Sequence, residues 1–514
     1  MPDSNNKRIA RNTAMLYFRM LLIMAVSLFT VRVVLKTLGV VDYGIYNVVG
    51  GIVVMFSFFS NTMASASQRF FAFELGRNDI PQLKKTFSLT ITIYAIIAVI
   101  VLLLAESLGL WFLNTQMVIP AERMEAANWI YQFSILSFLI TIITIPYNAA
   151  IIARENMKVY AYVSIVEVVL KLVIVYILIY FSYDKLKLYS CLMFLVTCIV
   201  TFIYRTICKR KYDECRFQFY WDKGLFFTLM GYSGWNLFGA VAGILNNQGI
   251  NILLNIFFGP VVNAARAIAY RVNDAVNQFV MNFLTAVRPQ ITKYYAAVEK
   301  EKMMKLVFQS SKFSYFLLFL LSMPVLLETN FIFKIWLEET PQYVVLFTRL
   351  VIITALIDSL SYPLMTAAQA TGKIKLYQVV VGGTMLLNLP VSYCFLKAGF
   401  LPQVTMYIAI VISIICFSLR LWLLKGMVGL SIKDYFNKVI LIVLSVSFVA
   451  YALPFSLTIW LNECFMRFII IGATGLIISV ATIYLIGLSK DERQFFLELI
   501  ENRLKSIFKS DQLK

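Results

Sequence analysis

The chain contains no histidine. Imidazole is the usual general base near neutral pH and a common zinc ligand, so its absence removes an imidazole proton relay and a histidine-based zinc site from consideration. Charge is scarce as well: Asp, Glu, Lys and Arg make up 14% of 514 residues, against about a quarter in an ordinary soluble domain. With 60% hydrophobic residues, such a chain cannot cover itself in water. Seven cysteines are present and none is spaced as CxxC. Cys191, Cys198, Cys394, Cys416 and Cys464 fall in or beside apolar runs, and Cys208 and Cys215 lie in a basic stretch. No cofactor is expected from this inventory.

Apolar runs fill the chain instead. A bilayer-crossing helix needs about 20 mostly apolar residues, and on that rule about fourteen spans follow one another, from 13–38 and 44–66 through 261–285 to 466–488. The opening MPDSNNKRIARN leads into an apolar run of about 25 residues, too long for the core of a signal peptide and without a small-residue cleavage site. It is expected to persist as the first helix. Phe217 to Trp221 form an aromatic lead-in to a long seventh span. The sequence therefore predicts an all-α integral membrane protein, with the lipid bilayer as its solvent.

Lys and Arg exceed Asp and Glu by 19. In a soluble chain this would suggest nucleic acid; here the placement of the cations is the informative property, and no nucleic-acid partner is expected. One set of loops is rich in cations: Lys7, Arg8 and Arg11; Arg69, Arg77, Lys84 and Lys85; Arg154 and Lys158; residues 205–223 and 288–312; Lys373 and Lys375; residues 420–438; and the tail from Lys490. The intervening loops hold only Arg123, Lys185, Lys187, Lys334, Lys397 and Arg467. By the positive-inside rule both termini face the cytoplasm and the number of spans is even. In the tail, Phe496, Ile500, Leu504 and Ile507 share one helical face, as an amphipathic helix on the inner leaflet would require.

The chain also echoes itself. Pro146 to Tyr160 (PYNAAIIARENMKVY) aligns without a gap with Pro363 to Tyr377 (PLMTAAQATGKIKLY), and Ala150/Ala367, Ala153/Ala370 and Lys158/Lys375 coincide as well. At a similar offset VVLKTLG, Val33 to Gly39, stands opposite LLNIFFG, Leu253 to Gly259. Self-similarity at a near-fixed offset marks repeated architecture. About six spans separate the copies, which makes them parallel repeats about an axis along the membrane normal. The expected organisation is an N-terminal lobe over 1–215, a C-terminal lobe over 216–430, two further helices within 431–488 and a cytoplasmic tail over 489–514.

A charge at the middle of a membrane helix costs about 2.5–3.5 kcal/mol on insertion scales and survives where it faces a partner or water. Arg19, Arg32, Lys171, Arg266, Arg271 and Arg349 are such residues, with the acids Glu167, Asp274 and Asp358. The excess of cations suits a cavity prepared for an anion. Glu167 with Lys171, and Arg271 with Asp274, have the helical spacing to neutralise each other. Arg32 and Arg349 stand near span ends and can snorkel. Arg19 and Arg266 have no acid within a turn on their own helices, which makes them the leading cavity candidates. The seventh span adds the amides Asn236, Asn246, Asn247, Gln248, Asn251 and Asn255 among five glycines. Amides are costly against lipid, and they either bond neighbouring helices or hold hydroxyls in a wet cavity.

These features resemble the polysaccharide (Wzx-like) flippases of the multidrug/oligosaccharidyl-lipid/polysaccharide (MOP) superfamily, which includes the MATE transporters. The matching text is NTAMLYFRMLLIMAVSLFTVRVVLKTLGVVDYGIYNVV with its G-x-x-D-Y-G-I-Y turn, QRFFAFELGRND in the first inner loop, and VRPQITKYYAA in the corresponding loop of the second half. The resemblance implies a MATE-like fold of two six-helix lobes plus two C-terminal helices in a bacterial cytoplasmic membrane. It implies an undecaprenyl-pyrophosphate-linked oligosaccharide as substrate, flipped from the cytoplasmic to the outer leaflet, and other polysaccharide assembly proteins as partners. It places Arg19 where the related peptidoglycan-precursor flippase has an arginine. The substrate-binding set expected is Arg19, Arg32, Lys171, Arg266, Arg271, Asn246 and Asn247. Coupling to protons or sodium would fall to Glu167, Asp274 or Asp358. Drug-exporting relatives usually carry an acid in the first span, and this sequence has Arg19 and Arg32 there instead. A cation-coupled drug or metabolite exporter is the first alternative. A membrane glycosyltransferase or polymerase is the second, disfavoured by short loops without histidine.

Overall fold

The computed structural model describes residues 8–24, 57–115, 119–181, 184–258, 260–336 and 341–494, with isolated positions between 26 and 49. The architecture is all-α and membrane-spanning. In chain order the helices are α1 (residues 8–24), α2 (Ser57–Gly76), α3 (Ile80–Thr115), α4 (Ala121–Ala153), α5 (Met157–Tyr180), α6 (Lys185–Lys211) and α7 (Lys223–Phe258). They continue as α8 (Pro260–Ala296), α9 (Lys300–Leu327), α10 (Val344–Ala370), α11 (Lys375–Lys397), α12 (Val404–Val428), α13 (Ile432–Trp460) and α14 (Phe465–Gly487). Among the described residues eleven helices, α3 to α7 and α9 to α14, are long and apolar enough to cross a bilayer. They answer to the expected third to seventh and ninth to fourteenth spans. The first two expected spans rest partly on residues outside those described, as do Arg32 and the tail beyond residue 494. The eighth, 261–285, forms a helix but is too polar to qualify: Arg266, Arg271, Asp274, Asn273, Asn277 and Asn282 dilute its apolar residues.

Local chemistry sets the helix ends. Asp79 accepts from the Gln82 amide (2.9 Å) to start α3, and Asp184 accepts from the amides of Leu186 and Lys187 to start α6. Gly429, at φ 76°, stops α12 in the left-handed conformation that glycine tolerates best. Within α3 a π-turn spans Ala105–Gly109, where the buried Tyr131 hydroxyl donates to the Ala105 carbonyl (2.7 Å). A side chain at Gly109 would collide with that hydroxyl.

The chain divides into two compact units, Asn12–Leu237 and Phe238–Lys514 with Met1–Arg11. The division falls inside α7, because the first half of that helix packs on α2, through Tyr232 against Phe70 (ring centroids 5.4 Å apart). Its second half packs on α11, where Gly239 lets Gln378 approach.

In the first unit α4 is the hub, packed against α2, α3, α5 and α6. In the second, α10 packs against α8, α9 and α12 in the same way. Each hub carries its internal proline, Pro146 or Pro363, and ends on the buried alanines Ala150 and Ala153 or Ala367 and Ala370. The aligned stretches of sequence thus occupy equivalent places in the packing of their own units. The first core gathers Phe71, Phe87, Tyr147, Ile151, Val175 and Leu178. The second gathers Val280, Leu318, Phe319 and Met323 with Ala450 of α13 and Ile471 of α14, so the last two helices pack onto α9. Large exposed side chains such as Leu103, Trp111, Phe448 and Ile477 form an apolar exterior that only a lipid environment would cover.

Candidate functional site

Two arginines are held, among the described residues, by neutral groups. Arg266 on α8 is 7% exposed. Its Nη2 donates to the backbone carbonyl of Asn247 (3.2 Å) and to the Asn247 Oδ1, both on α7. Tyr270, one turn further along α8, puts its ring 4.3 Å from the guanidinium carbon. Among the described residues no carboxylate comes within ion-pair distance of Arg266, and its Nε is buried without a hydrogen-bond partner. The Asn246 Oδ1 is buried without one as well. A desolvated cation so arranged retains both charge and donor capacity for an anion.

The first unit repeats the theme. Arg19 on α1 lies 4.5 Å from the centre of the Tyr160 ring on α5, and its Nε is likewise buried and unpartnered among the described residues. Arginine over an aromatic face is stabilised by cation–π attraction without neutralisation. Ser164, one turn beyond Tyr160 on α5, donates to the Tyr160 carbonyl (2.9 Å). Glu167 and Lys171, a turn apart on α5, pair with each other at 2.6 Å and are each about a third exposed.

The other expected residues are placed differently. Arg271 and Asp274 are exposed on α8, and no ion pair forms between them. Arg349 donates to the Thr329 hydroxyl (3.2 Å), which ties α10 to the start of the short helix Thr329–Trp336 that follows α9. Asp358 on α10 accepts from Ser413 on α12.

Sequence reasoning missed the polar network around that acid. Arg420 and Lys312, assigned to cation-rich inner loops, are both buried inside helices because α12 runs on to Val428 and α9 begins at Lys300. Arg420, 8% exposed, donates from Nε to the Tyr377 hydroxyl (3.1 Å) and from Nη1 to Ser361 (3.1 Å). Asn277 donates to Tyr362 (3.3 Å) on the neighbouring face of α10. The one signal available was the self-alignment of Tyr160 with Tyr377: each tyrosine receives an arginine, Arg19 on the ring of one and Arg420 on the hydroxyl of the other. Lys312 donates to the carbonyl of Gly487 (3.2 Å), the last residue of α14, and to Glu492 (2.9 Å) just beyond it.

Residues 239–394 match the MatE protein-family model. No curated protein matches the sequence. Among solved structures, an outward-facing multidrug resistance MATE family transporter of the MOP superfamily superposes with a TM-score of 0.67 at 14% identity, over 82% of this chain and 96% of that one. The MATE transporter ClbM in complex with Rb+ gives 0.68 at 12%, over 84% and 96%. The Vibrio cholerae MATE transporter VcmN in its bent form gives 0.64 at 17%, over 82% and 96%. The fold is that of a MATE transporter. At these identities the likeness speaks for the fold and not for a substrate.

Proposed function

We propose that this chain is a transporter of the MATE/MOP superfamily that flips a polyprenyl-pyrophosphate-linked oligosaccharide from the cytoplasmic to the outer leaflet of a bacterial cytoplasmic membrane. The single observation that carries the reading is Arg266: a nearly fully buried guanidinium held by Asn247 and Tyr270, with Nε unsatisfied and no carboxylate beside it among the described residues. A pyrophosphate is the kind of ligand that satisfies such a group, since guanidinium matches phosphate in charge and geometry. Arg19 over Tyr160 provides a second such cation in the other repeat. Neutral amides beside Arg266, among them Asn246, offer hydroxyl partners for sugars. Transport then requires the two repeats to rock so that the polar groups open to one leaflet at a time while the lipid tail stays in hydrocarbon. Exchange of a proton or sodium ion at Asp358, Asp274 or Glu167 is the step that would drive it.

A second reading, export of a drug or metabolite coupled to a cation, is favoured by the MatE match and by the buried Asp358–Ser413 pair. Surface glycan distinguishes the two. Arg266→Ala in the native host should abolish display of the lipid-linked glycan while membrane abundance stays near wild type. Normal glycan, together with drug efflux that rises with expression, would favour the exporter.

A further inference from the structure

Residues 212–222, between α6 and α7, belong to neither helix and are fixed along one side. Arg154 donates from Nε and Nη2 to Glu214 (2.8 and 2.6 Å), and Asn156 donates to the Tyr212 hydroxyl (3.0 Å). The Gln218 amide donates to Ser88 (3.3 Å), and the Lys85 ammonium stands 5.6 Å from the centre of the Tyr220 ring. Cys215 is fully buried; a hydrogen bond with Cys208 and desolvation push its thiol well above the usual range, so it packs as a neutral group. Glu214 and Cys215 anchor the segment, and the chain leaves them through an extended Arg216.

The Gln218 backbone and the Tyr220 ring meet α3, whereas the side chains of Phe217, Phe219 and Trp221 are exposed. Phe219 is 76% exposed and the other two are about half exposed. Arg210, Lys211 and Lys223 stand exposed on the flanking helix ends, and Arg216 shares its charge with Asp213 at 3.4 Å.

We propose that this segment is a docking strap for anionic phospholipid headgroups of the inner leaflet. The depth is set by its neighbours: α6 closes on Lys209, Arg210 and Lys211, and α7 opens at Lys223, so both membrane helices end at the strap. Aromatic rings favour the boundary between headgroup and acyl chain, and lysine and arginine beside them attract an anionic surface. The three rings seat at that boundary while Arg210, Lys211 and Lys223 meet phosphates. The inference needs the membrane fold and the cytoplasmic placement of this loop; it is independent of what the protein transports.

The test is hydrogen exchange of the full chain in nanodiscs of phosphatidylcholine alone and of phosphatidylcholine with phosphatidylglycerol. Exchange in residues 216–223 should slow by about tenfold or more in the anionic discs, given the several-fold contribution of each basic residue near such a surface. Arg210→Gln/Lys211→Gln/Lys223→Gln should remove that difference. Lys223→Gln alone, in the exposed first turn of α7, should reduce it several-fold and keeps the test available if the triple variant does not fold. Equal exchange in both discs would overturn the proposal. So would protection that survives loss of the charges, or protection supplied by free glycerol phosphate in neutral discs, which would mark a simple anion site.

Discussion

Arg266 meets the roughly 2.5–3.5 kcal/mol cost of a membrane-embedded charge with two oxygens of Asn247 and the face of Tyr270. Asn247→Ala removes the side-chain oxygen but leaves the backbone carbonyl, so flipping should fall several-fold and protein abundance should hold. A glycan-display or flipping assay alongside a membrane immunoblot reads both. Tyr377→Phe takes the acceptor from the buried Arg420 and should destabilise the protein by about 1.5–3 kcal/mol, seen as a lower melting midpoint in detergent. The contrast between these arginines shows what sequence can reveal at this scale. Arg19 and Arg266 were legible because no acid lies within a helical turn, and among the described residues no carboxylate reaches them. Glu167 with Lys171 was legible because its partners are four residues apart. Arg271 and Asp274 have comparable spacing, yet both are exposed and no salt bridge joins them: spacing permits a pair without requiring it. Arg420 was not legible, because its partners lie 43 and 59 residues away and only packing brings them together.

Helix periodicity and length identified the elements well, since each long apolar run has one way to satisfy its backbone in lipid. The hub role of α4 and α10 was foreshadowed by the paired prolines and small alanines, which let neighbouring helices approach closely. The fastening of α9 to the segment after α14 was not foreshadowed. There Lys312 and Glu492 form a pair with each side chain only 5–6% exposed. Removing one partner leaves the other charge buried alone, so Lys312→Met should cost about 3–5 kcal/mol. Lys312→Met/Glu492→Leu should recover much of that loss. A double-mutant cycle by thermal unfolding measures the coupling, and additive losses would show that the pair is not a unit. Gly109→Ala would place a methyl group against the Tyr131 hydroxyl at the π-turn of α3, and about 1–3 kcal/mol of destabilisation is expected from the same measurement.

For the whole molecule, the distribution of lysine and arginine among loops predicts orientation, and the MATE-type fold provides the frame in which that orientation has consequences. Cys464, exposed at the start of α14, belongs to a cation-poor loop and should face outward. A membrane-impermeant maleimide should label a variant retaining only Cys464 in intact spheroplasts, and labelling only after lysis would reverse the orientation. The eighth expected span forms the long helix α8, whose charged and amide residues keep it outside the apolar set, as the charges noted within it in the sequence imply. The central claim is that Arg266, and Arg19 in its own unit, each offer a cation that can receive a phosphate of a lipid-linked glycan. Its most direct measurement is transbilayer movement of a polyprenyl-pyrophosphate-linked oligosaccharide in proteoliposomes, comparing wild type with Arg19→Ala/Arg266→Ala at equal reconstitution. The account predicts rapid movement with the wild type and movement at the protein-free rate with the variant; equal rates for the two proteins would contradict it.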